Sequence, residues 1–356
     1  VTQNFFTTPI KKFHFKNING CQSVFIMVTQ TTTIQKRKME EDFYDRLLTQ
    51  EPQFFAPIRR LEKRLGFITP LLWSNVILIS LFHIIVPICY IHQIFSGQHC
   101  STKTTIVQCI FGQMAAFGIT AGAHRLWSHR SYKARMPLKL LLLMFYAIAG
   151  QNNLYNWVRD HRVHHKRSET PADPHDAKRG FFFSHVGWLM MRKHPYVIRE
   201  GSKIDMSDIT SDPVLVFFNR YFNMLKFLFC FFIPIVTPIW WFGEPAYQAI
   251  VAAMVRYFIT LNATWSVNSF AHLHGLRPYD KSILPSENLG VSIFAMGEGW
   301  HNFHHTFPWD YKAAELPYFV NPTTVFLDLA AYGGLAYDLK TASPELIKAV
   351  ADKKGE

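Results

Sequence analysis

Apolar and polar residues follow one another along this chain in long blocks, not in the short periods of a soluble helix or strand. Almost uncharged stretches cover residues 67–91, 105–123, 214–241 and 246–270. Each approaches or exceeds the roughly 20 residues that a helix needs to cross a bilayer. The pattern therefore predicts an all-α membrane protein with four transmembrane helices.

A fifth apolar run, residues 136–150, is shorter than a full span and closer to the length of a buried or interfacial helix. If it crossed the bilayer, the histidines at 124–129 and at 161–165 would face opposite compartments. We therefore expect this run to lie along the interface or inside the protein.

The polar segments between these blocks define the expected organisation. Residues 1–66 read as an N-terminal tail, and a catalytic loop covers residues 124–212. Residues 273–356 complete a helical cap on the same side. Residues 1–26 differ in character from the rest of the tail, and Met27 opens a polar, basic run, so we expect Met27 to be the native start and residues 1–26 to be an extension. No secretory signal is evident near either start.

Charge gives the expected orientation. The chain is 49% hydrophobic with a formal net charge of +12, and its basic residues concentrate in the tail and the large loop. The links at residues 92–103 and 242–245, which join spans one and two and spans three and four, hold one basic residue, Lys103. The excess of Lys and Arg in cytosolic loops then places both termini and the histidine-rich segments in the cytosol. The apolar spans make the lipid bilayer an expected partner, the positive charge of the cytosolic face would steer an acidic protein toward it, and no nucleic-acid partner is expected.

Histidine clusters are the strongest chemical signal. The string His161-Arg-Val-His164-His165 returns as His301-Asn-Phe-His304-His305. Residues three and four apart share a helix face, whereas adjacent residues diverge by about 100°, so one such box can serve two metal ions. Two more clusters are His124 with His129, and His272 with Asn268 one turn earlier. His124 and His129 converge on one site only if their helix ends or bends there.

The donor set points to redox iron. Eight box histidines with His272 and Asn268 exceed what one ion binds, but they suit two. A nearly all-nitrogen pair of open-sided sites favours iron and dioxygen over structural zinc, which closes with four ligands and often takes cysteine. The five cysteines form no C-x-x-C pair, the zinc-protease string H-E-x-x-H is absent, and the Glu-x-x-His pattern of soluble di-iron proteins occurs once, at Glu298 and His301.

These residues resemble a known family. The strings HRLWSH (124–129), HRVHH (161–165) and HNFHH (301–305), with NSFAH (268–272), FGITAGAHR (117–125) and SETPADPHDAKRGFFFSHVGW (168–188), are similar to those of membrane acyl-CoA desaturases of the stearoyl-CoA desaturase type. The likeness runs from about residue 40 to 340. The chain closely resembles the insect branch, moths in particular.

The resemblance implies a multi-pass enzyme of the endoplasmic reticulum membrane with a cytosolic di-iron site. Such an enzyme uses O2 to insert a cis double bond, of Δ9 or Δ11 type, into a saturated fatty acyl-CoA. Electrons come from cytochrome b5 and its NADH-dependent reductase. No haem-binding His-Pro-Gly-Gly string occurs here, so the cytochrome is expected to be a separate protein. The product would be a membrane lipid or a pheromone precursor.

Carried over motif by motif, the resemblance divides the metal ligands between two irons. One iron would be held by His124, His129, His161 and His165 with Asn268, and the other by His164, His272, His301, His304 and His305. His274, two residues after His272, is expected to lie at the surface or behind the ligands and not to bind a metal ion itself.

The same resemblance assigns a substrate site. It places Asn75, Asn152, Arg159, Asp160, Arg192 and Lys193 near the CoA headgroup, and Trp157, Trp188, Thr264 and Trp265 along a bent acyl tunnel. Two plainer interpretations stay open at this point: Arg192 and Lys193 as interface cations, and the tryptophans as an aromatic belt. Gly112, where the family closes the tunnel with side chains, would admit a longer acyl chain or move the double bond.

Two alternative functions remain at the level of sequence. An acyl hydroxylase or conjugase on the same scaffold begins with the same hydrogen abstraction. A metal transporter with a histidine relay is more remote, because a transporter needs ionisable groups at the bilayer midplane and these spans carry almost none. Lys353 and Lys354 near the end of the chain resemble a dilysine retrieval signal of the endoplasmic reticulum.

Overall fold

The computed structural model describes residues 51–315 and 320–356. The expectations about residues 1–26, Met27 and most of the N-terminal tail lie outside these ranges. The chain divides into a unit that ends at Pro70 and a second unit from Leu71 to Glu356. In the first, a 3-10 turn at Gln53–Phe55 leads into the helix Ala56–Arg64, where Arg59 Nη1 lies 2.9 Å from Glu62 Oε1.

Among the residues that the structure describes, the second unit contains four helices long and apolar enough to cross a membrane, which confirms the predicted fold class. Span one is Trp73–Phe95, span two Thr102–Ser128, span three Phe222–Phe242 and span four Ala246–Leu273. At 1.5 Å per residue, even the shortest of these covers about 30 Å, the thickness of a bilayer core.

The four spans begin and end a few residues away from the positions that the sequence predicted. Span one ends at Phe95 and not at residue 91, and span two ends at Ser128, inside the first histidine box, and not at residue 123. Span three begins later than expected, because a separate helix, Pro213–Arg220, ends at Tyr221. Asn219 at the end of that helix accepts a 2.9 Å hydrogen bond from the backbone N–H of Tyr155, so this polar residue anchors the cap.

The links between spans one and two and between spans three and four are tied together. Glu244 in the second link accepts hydrogen bonds from the hydroxyls of Ser101 and Thr104 at the start of span two, each at 2.5 Å. Ser101 also caps span two through the backbone N–H of Thr104. Both links therefore lie at one end of the bundle, and the histidine boxes lie toward the other.

The remaining helices of the second unit are short and build the cap. They are Met136–Ala149, Leu154–Arg167, Phe181–His185, Pro195–Gly201, Ser207–Thr210, Pro213–Arg220, Leu289–Phe294, His301–Thr306, Pro322–Tyr332 and Pro344–Lys354, with 3-10 turns at Ala177–Arg179 and Gly187–Met190. The strands Lys133–Ala134 and Ala336–Tyr337 pair antiparallel, with Lys133 opposite Tyr337.

The short apolar helix Met136–Ala149 forms much of the core. Leu138, Leu142 and Tyr146 are fully buried. Its backbone runs so close to span two that a Cβ atom on Gly118 would lie 2.3 Å from the carbonyl carbon of Phe145, so only glycine fits at that position. The rings of His124 and His161, on either side of this helix in sequence, lie 4.7 Å apart, so the helix does not separate them across a bilayer.

Candidate metal centre

The end of span two brings its two histidines together through a change of helix type. Residues Gly118–Ser128 form a π-helix, and the backbone N–H of His129 bonds to the carbonyl of His124 at 3.1 Å. Hydrogen bonds in a π-helix join residues five apart, so residues five apart lie near one face. The two imidazole rings are 4.8 Å apart. His124 and His129 were expected to converge only if their helix ends or bends there, and the wider turn of the π-helix is the change in helix geometry that brings them together.

The nine histidines gather into two groups of ligand atoms, each within 4.8 Å of one another. The first group comprises His124, His129, His161, His165 and His304, and the second His164, His272, His301 and His305. Five of the nine histidines are buried, and the other four are partly exposed. The sequence-based division therefore needs correction at His304, which was assigned to the second group.

The correction follows from helix geometry. In the second box His161 and His165, four apart, supply the first group, and His164 turns to the other group. In the third box His301 and His305, again four apart, supply the second group. His304 precedes His305 by one residue and so projects about 100° away from it. Each box thus sends one imidazole across to the opposite group.

Distances between nitrogens within the groups match those between neighbouring ligands of one ion. His304 Nε2 lies 3.0 Å from the Nε2 atoms of both His124 and His165. His301 Nε2 lies 3.1 Å from those of His272 and His305. Metal–nitrogen bonds of about 2.1 Å place nitrogens about 3.0 Å apart at right angles, and about 3.4 Å apart at the tetrahedral angle. The observed distances are close to both values, so each group of nitrogens could surround one metal ion.

Carboxylates behind the imidazoles fix their orientation. Glu298 Oε2 lies 2.7 Å from His124 Nδ1, and Asp173 Oδ1 lies 2.8 Å from His164 Nδ1. This arrangement leaves Nε2 of each ring directed into its group, as in carboxylate–histidine–metal triads. His164 Nε2 is buried and has no hydrogen-bond partner among residues 51–315 and 320–356, so it is a donor atom that a metal ion would satisfy.

Electrostatics keep most of these imidazoles neutral. Burial, reinforced by the neighbouring imidazoles, lowers the pKa of His129, His161, His165, His301, His304 and His305 well below the ordinary histidine value. Neutral imidazole is the form that binds a metal. Burial alone would also lower the pKa of His164, but Asp173 outweighs it and raises that pKa.

Glu298 is held ionised by a buried arginine. Burial alone would raise the pKa of Glu298, but Arg125 and His124 outweigh it and lower that pKa to about 2. Arg125 is 1% exposed and donates to Glu298 Oε1 at 2.8 Å. The single Glu-x-x-His pattern of the sequence therefore places its glutamate behind His124, not in the set of ligand atoms.

A cavity of about 670 Å³ adjoins both groups. Seven of the predicted substrate residues line it: Asn75, Asn152, Trp157, Asp160, Trp188, Thr264 and Trp265. Asn268 lines it too, one helical turn before His272 on span four. Gly112 lines a second cavity of about 580 Å³, and both cavities are bordered by Gln151 and Thr264.

Hydrogen bonds at the junction of the cavities involve a residue that the sequence did not single out. Gln151 Nε2 donates to Thr264 Oγ1 at 2.9 Å, and Gln151 Oε1 accepts from Trp157 Nε1 at 2.9 Å. Trp157 in turn stacks on His161, with ring centroids 5.1 Å apart. Nothing in the sequence near Gln151 marks it, because its partners lie up to 113 positions away.

The predicted headgroup cations cluster at Asp160. Lys193 Nζ bonds to Asp160 Oδ2, and Arg159 Nη2 lies 3.2 Å from Asp160 Oδ1. Burial lowers the pKa of Lys193, although Asp160 opposes this. The three predicted cations, Arg159, Arg192 and Lys193, are all partly exposed, and none of them lines either cavity. His274 is exposed and lies outside both histidine groups, as expected.

The structure thus combines four helices long and apolar enough to span a membrane with two clusters of imidazoles that could hold metal ions beside a mainly apolar cavity. The Fatty acid desaturase family model matches residues 103–322. The chain is 50% identical over 288 residues to an acyl-CoA Delta-9 desaturase of Acheta domesticus, covering 80% of this chain and 79% of that protein.

Mammalian proteins are similar as well. The chain is 46% identical over 320 residues to the stearoyl-CoA desaturase of Sus scrofa, covering 90% of this chain and 85% of that protein. It is 49% identical over 285 residues to the stearoyl-CoA desaturase of Homo sapiens, covering 80% and 78%. The chain belongs to the fatty acid desaturase family, which confirms the resemblance drawn from its histidine boxes and leaves no support for the metal-transporter alternative.

Proposed function

We propose that the protein is an acyl-CoA desaturase that forms a cis double bond in a saturated fatty acyl-CoA with O2 and two electrons. Two hydrogens leave the acyl chain, and O2 is reduced to two molecules of water with two electrons and two protons from outside. The observation that carries the proposal is the opening of both histidine groups onto one cavity, because His124, His161, His164 and His301 belong to the ligand groups and also line that cavity.

The two histidine groups would hold two iron ions, which, when bound, supply the oxidising power from O2 that an unactivated methylene requires. The first ion would take His124, His129, His161, His165 and His304. The second would take His164, His272, His301 and His305, with Asn268 beside them as a neutral oxygen donor. We assign Asn268 to this second ion, and not to the first as the resemblance implied, because it lies four residues before His272 and residues four apart on a helix share a face.

The residues of the chain position the substrate. The acyl chain would enter the first cavity past Asn75 and Trp188, follow Trp157 and Trp265, and turn into the second cavity at Gln151 and Thr264. A bend held by these hydrogen-bonded side chains brings adjacent methylenes to one side, which favours a cis product. The buried walls exclude water from the reacting carbons.

The CoA headgroup would lie at the cavity mouth, on the cations around Asp160. Arg159 and Lys193 would contact its phosphates, while Asp160 orients both cations and Arg192 adds charge nearby. Cytochrome b5, reduced by its NADH-dependent reductase, would deliver the electrons one at a time. An acidic cytochrome suits the chain's net charge of +12.

We place the protein in the endoplasmic reticulum membrane with both termini and the histidine groups in the cytosol. The distribution of basic residues supports this orientation. The dilysine pair supports it less, because Lys354 Nζ lies 3.0 Å from Asp280 Oδ2 and its carbonyl accepts from the N–H of Lys281.

Expression in a yeast that lacks its own desaturase tests the function. Restored growth without added unsaturated fatty acid, and monounsaturated products located by gas chromatography–mass spectrometry of their derivatives, are expected. A His304→Ala variant should yield none, whereas His274→Ala should match the unmodified protein. Hydroxylated acids without olefins would instead establish the hydroxylase alternative.

A further inference from the structure

The second cavity is more polar at its far end than an acyl chain ending in a methyl group requires. It lies among spans one, two and four, and extends from Glu298 to the link at His99 and Cys100. Most of its wall is small and apolar, including Ala115, Ala252 and Val255. Each of the three spans, however, contributes one buried carboxamide or guanidinium side chain to the wall.

These three side chains are Gln93 of span one, Gln108 of span two and Arg256 of span four, which are 2%, 5% and 5% exposed. Two of them hold neighbouring backbone in place with part of their polar groups. Gln108 Nε2 donates to the carbonyl of Pro234 at 2.7 Å, and Arg256 Nη2 donates to the carbonyl of Cys230 at 2.5 Å.

One atom of each side chain is left over. Gln93 Nε2, Gln108 Oε1 and Arg256 Nε are buried without a hydrogen-bond partner among residues 51–315 and 320–356. Buried polar groups are normally paired, and leaving one unpaired is costly. Three such atoms on the wall of one cavity indicate that its occupant carries hydrogen-bonding groups.

The chemistry of the three atoms specifies that occupant. The N–H groups of Gln93 and Arg256 are donors and need an acceptor, whereas the carboxamide oxygen of Gln108 needs a donor. A hydroxyl has one donor and two acceptor lone pairs, so it matches both kinds of atom. A methyl group matches neither, a carboxylate offers only acceptors, and an ammonium offers only donors.

We propose that the far end of the second cavity is a subsite for a hydroxyl group at the ω end of the acyl chain. This inference rests on the proposed function, which makes the acyl chain the occupant of the cavity. The enzyme would then desaturate ω-hydroxyacyl-CoA as well as unsubstituted acyl-CoA. The reaction is unchanged: the terminal hydroxyl is bound, and it is not oxidised or transferred.

Pairs of substrates that differ only at the terminus test this subsite. A hydroxyl and a methyl group are similar in size, so 16-hydroxyhexadecanoyl-CoA is compared with heptadecanoyl-CoA, and the pairs two carbons shorter and longer are compared in the same way. A purely apolar floor would disfavour the hydroxyl by roughly tenfold or more. We expect kcat/KM for the hydroxylated member to equal or exceed that of its methyl partner at one chain length or more.

Variants locate the effect in the cavity. Gln108→Leu and Gln93→Leu should each lower the ratio of hydroxylated to methyl-ended turnover at least fivefold. Gln248→Leu, the same change at a partly exposed position of span four that does not line the cavity, should leave the ratio unchanged.

The outcomes separate the two proposals. Two results would overturn the subsite, provided that methyl-ended substrates still yield olefin. One is discrimination of tenfold or more against the hydroxylated substrate at every chain length. The other is a ratio of hydroxylated to methyl-ended turnover that neither Gln108→Leu nor Gln93→Leu changes. Failure to desaturate any acyl-CoA, methyl-ended ones included, overturns the proposed function itself.

Discussion

Glu298 Oε2 lies 2.7 Å from Nδ1 of His124, and the other oxygen of the same carboxylate lies 2.8 Å from Nη2 of Arg125. Two consecutive residues, His124 and Arg125, thus bind one buried glutamate that lies 173 positions after Arg125 in the sequence. The contact sets the direction of His124 Nε2 toward the first histidine group. It also compensates a guanidinium that would otherwise be buried without a counter-charge.

We predict that Glu298→Ala lowers the affinity of the first histidine group for iron and the rate of desaturation each by about 10- to 100-fold, as removal of a carboxylate behind a metal-bound histidine typically does. Glu298→Gln should have a smaller effect, because its carboxamide oxygen still accepts a hydrogen bond from His124. Some loss should remain, because the carboxamide does not balance the positive charge on Arg125. Iron analysis and product analysis on the purified variants measure both effects. Full iron content in Glu298→Ala would show that His124 needs no such orientation.

A second contact links the segments that carry His129 and His161. Asp208 bonds to Arg162 Nη2 at 2.7 Å and to Arg130 Nη2 at 2.7 Å. Burial alone would raise the pKa of Asp208, but the two arginines outweigh it and lower that pKa. The carboxylate therefore stabilises the folded state above the ordinary aspartate pKa, and this contribution is lost as the pH falls through the lowered folded-state value.

We expect Asp208→Asn to reduce the free energy of unfolding by about 1–2 kcal/mol at pH 7, because a paired, partly buried carboxylate is lost. The difference in melting temperature from the unmodified protein should persist to pH 5 and shrink below about pH 4. Asp352→Asn, which removes an exposed ion pair to Lys348, should change stability by no more than about 0.5 kcal/mol. An equal difference at all pH values would contradict the electrostatic origin.

Gly112 provides a test of the path of the acyl chain. A Cβ atom there would lie 3.7 Å from Arg256 Cγ and 4.0 Å from Thr260 Cγ2, which is ordinary contact. Gly112→Ala should therefore be tolerated, with little change in products. Gly112→Leu should fill part of the second cavity and shift the preferred substrate by two or more carbons toward shorter chains. Competition between acyl-CoAs of different length measures the shift, and an unchanged product profile would remove Gly112 from the acyl path.

Lys193 tests the headgroup site. We predict that Lys193→Gln raises KM for acyl-CoA several-fold with little change in kcat, because a phosphate contact made equally in the ground and transition states affects binding alone. The effect should diminish at high ionic strength. Lys348→Gln, on the exposed face of the C-terminal helix, is the matched control. A fall in kcat with unchanged KM would assign Lys193 a structural role through Asp160.

The fold class, the identity of the histidines and their two-sided boxes could be predicted from the sequence, because hydropathy and helix periodicity are local properties. Helix geometry shows that His304 and His305 face different ways, but which histidine group each one faces depends on how the helix His301–Thr306 is oriented against Leu154–Arg167, so the membership of His304 could not be predicted. The spacing of His124 and His129 predicted convergence only if their helix ends or bends there, and it did not indicate the π-helix that brings them together.

Long-range contacts explain the other differences. Glu298, Asp173 and Gln151 act through partners that the chain brings near only after folding, so no short motif marks their roles. Span three begins at Phe222 and not at residue 214, because Asn219 bonds to the cap and the helix breaks at Tyr221. An apolar run alone does not reveal such a break.

The iron content of the purified protein tests the central claim most directly. Two irons per chain are expected, with about one remaining in His272→Ala, which removes a ligand of the second group alone, and two in His274→Ala. Mössbauer spectra should show two nitrogen-rich iron sites in the unmodified protein. A single iron per chain, or two irons retained at full occupancy when His272 is replaced together with His301, would contradict two histidine-bound ions beside the acyl cavity.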